Sequence, residues 1–276
     1  MCKKGGSLSK KQFVSMRWRL IKLTVLLIFG LTALLLSGPL WMLKFGGLDL
    51  HTHWSRASMD SPGALDGELL DEDEVVIRVY AARAYGWRGA FADHCWIAVR
   101  NPGEAFFRLN EVIGWRHYRG MAVVSESVGT PNRSWFGNPA RLLGEVRGQE
   151  AVALIPRLNE AIASYPAARH YRVWPGPNSN TFIAHVLRHL PELQTPLPAT
   201  AIGKDFPTGL WLQPTPGGSG WQLTLWGLAG VSIGWNEGLR FQWLAMEFGL
   251  HPFRGEVYWP GLGAVSLFPE AQAKTP

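Results

Sequence analysis

The sequence predicts an α+β fold made of a single N-terminal transmembrane helix, a mixed central domain and a β-rich C-terminal segment. Three observations predict it: one long uncharged apolar run near the start, a middle part that combines β-branched strands with helically spaced apolar residues, and an ending rich in Trp and Gly. The predicted parts are a basic tail over 1–22, the helix over 23–43, a linker over 44–74, the core over 75–195 and the β-rich segment over 196–276.

Composition and charge exclude several classes of protein. The chain has 31 Gly, 19 Pro and 14 Trp in 276 residues without any G-X-Y period, which excludes a collagen-like chain. Its net charge of +6 is misleading, because the chain up to Lys44 holds eight basic residues and no acidic one. The remainder is slightly acidic, so it lacks the clustered Lys and Arg of a nucleic-acid-binding domain. Two cysteines, Cys2 and Cys95, offer no disulfide framework.

The run from Leu23 to Leu43 predicts a transmembrane helix. Its 21 uncharged residues span about 31 Å as a helix, which matches a hydrocarbon core of about 30 Å. Seven of the eight positive charges precede it, so the positive-inside rule predicts a cytoplasmic N-terminus. We therefore expect a single-pass protein of the cell (inner) membrane with its globular part in the periplasm or outside the cell. A cleaved signal peptide is the alternative, although Leu35 or Leu36 would occupy the −3 position.

The linker that follows is broken by glycines and Pro62 and ends in the acidic run from Asp71 to Glu74. Within it, His51 and His53 alternate behind Asp49, a spacing that can hold a metal through two imidazoles. No distant partner ligand accompanies them, so we predict a polar juxtamembrane stretch and no metal.

The central domain begins with strands. They are expected over 75–82, 94–100 and 106–113, the last two joined as an antiparallel hairpin by an Asn-Pro-Gly turn. Because strand side chains alternate, His94 and Trp96 share one face while Cys95 points to the other. A local pairing of Cys95 with His94 is therefore not expected.

Two helices follow the strands. One is predicted over 149–165, with Pro156 inside it, and the second runs from Ser179 to Leu190 with a buried apolar stripe. Ser179 stands in the first turn of the second helix, where free N–H groups and the helix dipole stabilise a developing negative charge. Serine and asparagine are also common helix caps, so a nucleophile and an ordinary cap are both compatible with this position.

Four segments carry a resemblance to a known family. VYAARAYGWRG, FADHCWIAV, YRVWPGPNSNTF and ATAIGKDFP resemble a bacterial family of unknown function, number 3750, over residues 75–265. A strand histidine followed by an N-[SC]-N-x-F block more distantly resembles circularly permuted papain-like hydrolases of the PPPDE and NlpC type. That resemblance implies a permuted papain-like core in which His94 is the base and Ser179 the nucleophile, with Asn178 and Asn180 framing the loop.

This chain has serine where the papain-like enzymes use cysteine. A hydroxyl is a much weaker acid than a thiol and needs a histidine that a third group orients. The candidates for that third group are Glu111 and His117, and the sequence does not separate them. Trp96, beside His94 on its strand face, is a further candidate for positioning a substrate.

Other features suggest less chemistry. His185 and His189 lie four residues apart on the second helix and are expected to be a solvated pair. No phosphate-binding or dinucleotide glycine signature occurs, so we predict no cofactor. Past residue 196, six tryptophans alternate with glycine-rich turns, which indicates strands and hairpins packed on the core. A surface dipping into the membrane interface, or a groove for an apolar or glycan ligand, is the alternative for these tryptophans.

The sequence therefore leaves two functions open. The first is a membrane-anchored hydrolase or acyltransferase that acts on an amide or ester of the cell envelope, in a peptide, lipid or glycopeptide. The second is a non-catalytic envelope binding or assembly module that kept the fold without the cysteine. Neither function uses nucleic acid as a partner.

Overall fold

The structure, a computed structural model, describes residues 10–60 and 73–268. Cys2 and the first lysines of the basic tail lie outside the described residues, as do Asp71 and Glu72 of the acidic run and the last eight residues of the chain. The described part is α+β, as predicted: one N-terminal helix, then two antiparallel sheets with three further helices.

Helix α1 spans Lys10–Phe45 and contains the whole predicted apolar segment. Among the described residues it is the one helix long and apolar enough to cross a membrane. Most of its side chains are exposed, but Leu35 and Met42 are buried against the globular part. The helix is therefore free along most of its length and attached near its C-terminal end.

The first sheet has five strands in the order β4-β3-β2-β1-β5, all antiparallel. The strands are β1 Val76–Arg83, β2 Asp93–Arg100, β3 Phe107–Val112, β4 Val124–Gly129 and β5 Arg141–Arg147. The helices are α2 Gly114–His117, α3 Gly148–Ala163 and α4 Ser179–His189, with short 3-10 turns at Gly86–Ala90 and Pro191–Leu193. The β2–β3 hairpin confirms the predicted pairing of the second and third strands.

The two faces of this sheet have different neighbours. The helix face is covered by α3 and α4: Cys95 and Ile97 of β2 pack there with Phe182 and other apolar residues of α4. The opposite face, here called the pocket face, carries Trp96 of β2 in a second cluster with Trp135. Cys95 thus points away from the face of Trp96, as strand alternation requires.

The second sheet is a meander of seven strands in the order β12 to β6. Its strands are β6 Leu212–Pro214, β7 Gly220–Leu225, β8 Ala229–Gly234, β9 Gly238–Trp243, β10 Met246–His251, β11 Glu256–Trp259 and β12 Gly263–Ser266. These strands confirm the β-rich segment. The expectation that its tryptophans pack in the core is wrong: five of them are between 46% and 67% exposed, namely Trp211, Trp221, Trp226, Trp235 and Trp243.

The turn between β11 and β12 joins α1 to both sheets. Trp259 donates its indole N–H to the Ser37 hydroxyl of α1 at 2.9 Å. Arg83, at the end of β1, donates to the Gly261 carbonyl at 2.8 Å. Gly38 of α1 lies so close to the Pro260 carbonyl that no side chain fits between them. Helix α1 and the globular part therefore meet in a tight contact near the C-terminal end of the helix.

Candidate functional site

Ser179 lies at the start of α4, and its neighbour Asn178 caps the helix. The Asn178 Oδ1 accepts from the backbone N–H groups of Asn180 at 3.0 Å and Thr181 at 3.2 Å. Thr181 returns a bond through its Oγ1, which accepts from the Asn178 N–H at 3.0 Å and completes a capping box. Asn178 thus has the geometry of an ordinary helix cap.

The same residues attach the helix start to the rest of the domain. The Asn178 amide donates to the carbonyls of Val173 at 3.1 Å and Ile202 at 3.0 Å. The Asn180 amide donates to the Ile202 carbonyl at 2.8 Å and to the Asp93 carbonyl at 2.9 Å. Asn180 therefore holds the helix start against the beginning of β2, and both asparagines hold it to the Ile202 carbonyl. The Ser179 hydroxyl takes part in no hydrogen bond with the described residues.

His94 points to the pocket face, away from α4. Its ring stacks on Trp135, with centroids 3.7 Å apart and planes 9° from parallel. Since α4 packs on the helix face, the sheet separates the His94 imidazole from Ser179. No hydrogen bond within the described residues joins them. The pairing of Ser179 as nucleophile with His94 as base therefore stays a prediction, and strand alternation turns the His94 side chain to the side of β2 opposite α4.

Glu111 is the residue that meets His94. The Glu111 Oε2 lies 2.8 Å from the His94 Nε2, and its Oε1 accepts from Arg133. Burial lowers the pKa of His94, although the hydrogen bond to Glu111 acts in the opposite direction. We therefore assign a neutral ring that donates its Nε2–H to the carboxylate, while Arg133 supplies the compensating positive charge.

The two sequence candidates for the orienting group are separated by this geometry. Glu111 reaches His94 because β3 pairs beside β2 with both side chains on the pocket face. His117 lies at the end of α2, where its Nδ1 is 2.9 Å from the Arg169 carbonyl. Trp96 donates its indole N–H to the Pro131 carbonyl at 2.9 Å and so holds the loop that carries Arg133. Trp96 therefore positions a loop on the pocket face.

A cavity of about 410 Å³ opens on the pocket face beside this buried cluster. It is lined by Leu109 and Glu111 of β3, and by Trp115, Arg133 and Trp135. Ser125 and Ser127 of β4 add two hydroxyls that have no hydrogen-bond partner among the described residues. The cavity thus combines aromatic faces, free hydroxyls and a paired carboxylate in one place.

The juxtamembrane segment after α1 closes one side of the cavity. Met59 lines it, and its Sδ accepts from the Phe136 N–H at 3.4 Å. The Ser58 carbonyl accepts from the Gly137 N–H at 2.7 Å, so the segment runs along the 133–138 loop. This part of the predicted linker is therefore bound to the domain.

The sequence did not point to most of the cavity. Trp115, Ser125, Arg133 and Trp135 lie in a stretch of short, irregular elements with no clear period. The available signal was Glu111, an acidic residue on the same strand face as the apolar Phe107 and Leu109. Buried charges are paired, so a partner cation had to be expected near it.

The surroundings of the two histidine pairs, His185 with His189 and His51 with His53, are not those of a metal site. His185 is buried on α4 and lies 3.1 Å from the Ala161 carbonyl, so the expected solvated pair with His189 is wrong for its first member. The apolar arc of α4 is wider than predicted because α3 packs over it. Asp49 accepts from the N–H groups of His51 and Thr52 in a turn. Hydrogen bonds from the Thr52 side chain and backbone, and then from the His51 N–H, lower the pKa of Asp49 to about 2. His53 contacts Ser55 at 2.8 Å and does not converge with His51.

Comparison with known proteins gives one result. The model of a family described as a protein of unknown function, DUF3750, matches residues 74–206. No curated protein and no solved structure matches the chain, and nothing supports the more distant papain-like resemblance. The matched residues contain the whole first sheet, α4 and every residue that lines the cavity except Met59, but not the second sheet. The central domain of the chain, over residues 74–206, is therefore identified by its match to the DUF3750 family.

Proposed function

We propose that this protein is a single-pass membrane protein whose extracytoplasmic domain binds an envelope peptide or glycopeptide in the cavity of the pocket face. The observation that carries the proposal is the 410 Å³ cavity beside the buried cluster of His94, Glu111 and Arg133. Concave sites with aromatic walls and a few convergent polar groups are the usual form of a small-molecule site.

The anchor is supported by the way α1 is attached. Residues 35–42 of the helix pack against the globular part, in the region where a signal peptide would be cut. Cleavage after Ser37 or Gly38 would remove half of that contact, so a retained helix is favoured. The positive charges that precede the apolar segment, among them Arg17, Arg19 and Lys22, favour a cytoplasmic N-terminus and an exported domain.

The chemistry of the cavity favours an anionic ligand with an apolar face. Glu111 is neutralised by Arg133, whereas Arg116 uses only its Nε–H, which donates to the Ala122 carbonyl at 2.6 Å. The terminal N–H groups of Arg116 have no partner among the described residues and can bind a carboxylate. Trp115 is 50% exposed and offers a flat apolar surface for a sugar ring or an alkyl side chain.

Binding is favoured over hydrolysis because the cavity and Ser179 lie on opposite faces of the first sheet. A hydroxyl nucleophile needs a base within about 3 Å or one water beyond it. Ser179 is the first residue of α4, which packs on the helix face, while the His94 imidazole donates to Glu111 on the pocket face. The capping geometry of Asn178 also accounts for the Asn-Ser-Asn block without a reaction.

The test measures ligand binding by isothermal titration calorimetry on the full chain in detergent micelles. Muramyl dipeptide, a soluble glycopeptide with a carboxylate, is the probe. We expect saturable binding that weakens about 10-fold in Trp115→Ala, as loss of one aromatic contact of roughly 1.4 kcal/mol requires. Trp87→Ala is the matched control, because Trp87 is 57% exposed and lies outside the cavity.

Two results would overturn this proposal. One is an absence of saturable binding by the wild-type chain, or an equal loss in Trp115→Ala and Trp87→Ala. The other is covalent labelling of Ser179 by a serine-directed fluorophosphonate that disappears in His94→Ala, which would favour the hydrolase. Orientation is checked separately by a reporter fused after Pro276, which should be active only when it is exported.

A further inference from the structure

We propose that the outer face of the second sheet rests on the lipid bilayer that α1 crosses, as a monotopic contact beside the anchor. The inference rests on the anchor part of the proposed function and is independent of the cavity. It starts from the distribution of polar and apolar residues over the two faces of this sheet, which is the reverse of that in an ordinary soluble domain.

The outer face is apolar across five neighbouring strands. The register places Leu212, Leu223, Val231 and Phe241 in one row and Trp221, Ile233 and, on β10, Leu250 in the next. All seven side chains are between 37% and 62% exposed. Strands lie about 4.8 Å apart, so five of them make a continuous apolar surface roughly 20 Å wide. Ordinary monomers rarely expose a contiguous apolar patch of this kind unless it binds something.

The inner face of the same sheet is polar and buried. Gln222 and Ser232 lie next to Arg240 in the row between the apolar rows, and all three are at most 7% exposed. Arg240 donates to the Leu197 carbonyl at 2.9 Å and lies over the Tyr258 ring. Glu247 contacts Lys204, and Lys204 also reaches Asp205 at 2.6 Å. A paired polar layer thus joins this sheet to the first domain.

Charge also distinguishes the two faces. Residues 207–268 contain five charged side chains, and Glu237, Arg240 and Glu247 are buried on the inner side. Arg254 and Glu256 lie at the β10–β11 turn, so the apolar rows of the outer face carry no charge. Burying a charge in lipid costs several kcal/mol, and a charge-free surface avoids that cost.

Tryptophans lie around the apolar rows, where strands end. Trp226 and Trp235 occupy the turns after β7 and β8, and Trp211 precedes β6. Their exposed fractions are 58%, 67% and 48%. Amphipathic indoles concentrate at the boundary between hydrocarbon and water, so this placement is typical of a membrane interface.

The anchor places this sheet at the right depth. Trp259, at the end of β11, bonds to Ser37, which lies six residues before the end of the apolar segment at Leu43. Six residues of helix correspond to about 9 Å along its axis. The edge of the second sheet therefore reaches the depth of the apolar part of α1, and its outer face continues from that contact. This continuity selects the bilayer, and not a soluble partner or a second copy, as the occupant.

The test measures the depth of a nitroxide label on the full chain in vesicles of phosphatidylethanolamine and phosphatidylglycerol. Single cysteines are introduced as Ile233→Cys on the outer face and Val152→Cys on α3, the matched control, in a Cys2→Ser background. Ile233 is 62% exposed and Val152 45% exposed, so neither substitution disturbs packing. Burial raises the pKa of the remaining Cys95 thiol and keeps it unreactive.

The measured quantity is the ratio of the nitroxide's collision rate with oxygen to its collision rate with a water-soluble nickel chelate. We expect this ratio to be several-fold higher at position 233 than at position 152. Equal, water-like values at both positions, in a chain that still resists carbonate extraction, would overturn the lipid contact and leave the anchor standing. Spin–spin broadening at 233 that disappears on dilution with unlabelled protein would identify a second copy as the occupant and also overturn it. A chain that carbonate removes from the vesicles would refute the anchor and this inference together.

Discussion

The docking of α1 onto the globular part can be tested by adding a single methyl group at Gly38. A Cβ added at Gly38 would lie 1.9 Å from the Pro260 carbonyl oxygen and 3.1 Å from the Trp259 Cδ1, whereas ordinary contact begins near 3.4 Å. Helix and turn must then separate by about 1.5 Å. Gly30, on the same helix, has nothing within 4 Å of its built Cβ, so Gly30→Ala is the matched control for Gly38→Ala.

The expected size of the effect follows from overpacking. Forcing an extra carbon into a tight contact costs about 1–3 kcal/mol. The gain in helix propensity from Gly to Ala is shared by the docked and undocked helix, so it does not change the docking equilibrium. At about 1.4 kcal/mol per tenfold, the undocked fraction should rise roughly 5- to 150-fold in Gly38→Ala and stay unchanged in Gly30→Ala.

The assay is the rate at which a maleimide alkylates Met42→Cys in detergent micelles. Met42 is 8% exposed on the docked face of α1, so a thiol at this position reacts mainly when the helix undocks. The two alanine variants are compared in the same Met42→Cys, Cys2→Ser background. Equal alkylation rates in Gly38→Ala and Gly30→Ala would refute the tight contact between α1 and the β11–β12 turn.

Two further predictions concern α4. Asn178→Ala should lower the free energy of unfolding, measured in urea, by about 2–4 kcal/mol, because it removes the cap and two buried donors. Ser179→Ala should change the free energy of unfolding by no more than about 0.5 kcal/mol. A larger loss in Ser179→Ala than in Asn178→Ala would argue for a special role of the serine. Burial lowers the pKa of His185 from 6.5 to about 4, so the unfolded chain binds its proton first as the pH falls. Stability should therefore fall between pH 6.5 and 4, by up to about 3 kcal/mol from this residue, and urea denaturation of His185→Asn should show a shallower decline. An unchanged pH dependence in that variant would contradict the assignment.

The elements with strong local patterns were predictable. The three strands around Val79, Ile97 and Leu109, and the helix that begins at Ser179, have regular apolar periods, and the structure has them within one or two residues. Strands β4 and β5 were missed because they are short and largely exposed, and β5 pairs with β1 over a long sequence separation. Pairing of that kind leaves no period in the sequence.

The candidate site also has parts that the sequence predicts and parts that it does not. Strand alternation placed His94 and Trp96 on one face, but only packing decided that α4 covers the other face. Glu111 could be named as a partner of His94, and its second partner Arg133 could not, because the loop that carries it is held by Trp96 through the Pro131 carbonyl. Proximity in the chain says little about which loop crosses a given strand.

What the chain determines by itself is local: an uncharged run long enough for a bilayer, the alternation of strands and the apolar stripes of helices. Each of these depends on neighbours within a few residues, so its physical cause is present in the sequence. Which sheet face meets α4, and which face of the β6–β12 meander is left to solvent or lipid, is decided by contacts between distant segments. For the second sheet those contacts are polar, because Arg240, Lys204 and Glu247 pair inside while the alternating apolar residues remain outside. An alternating pattern has the same period whichever side faces inward, so only the tertiary structure could decide that its apolar side faces outward.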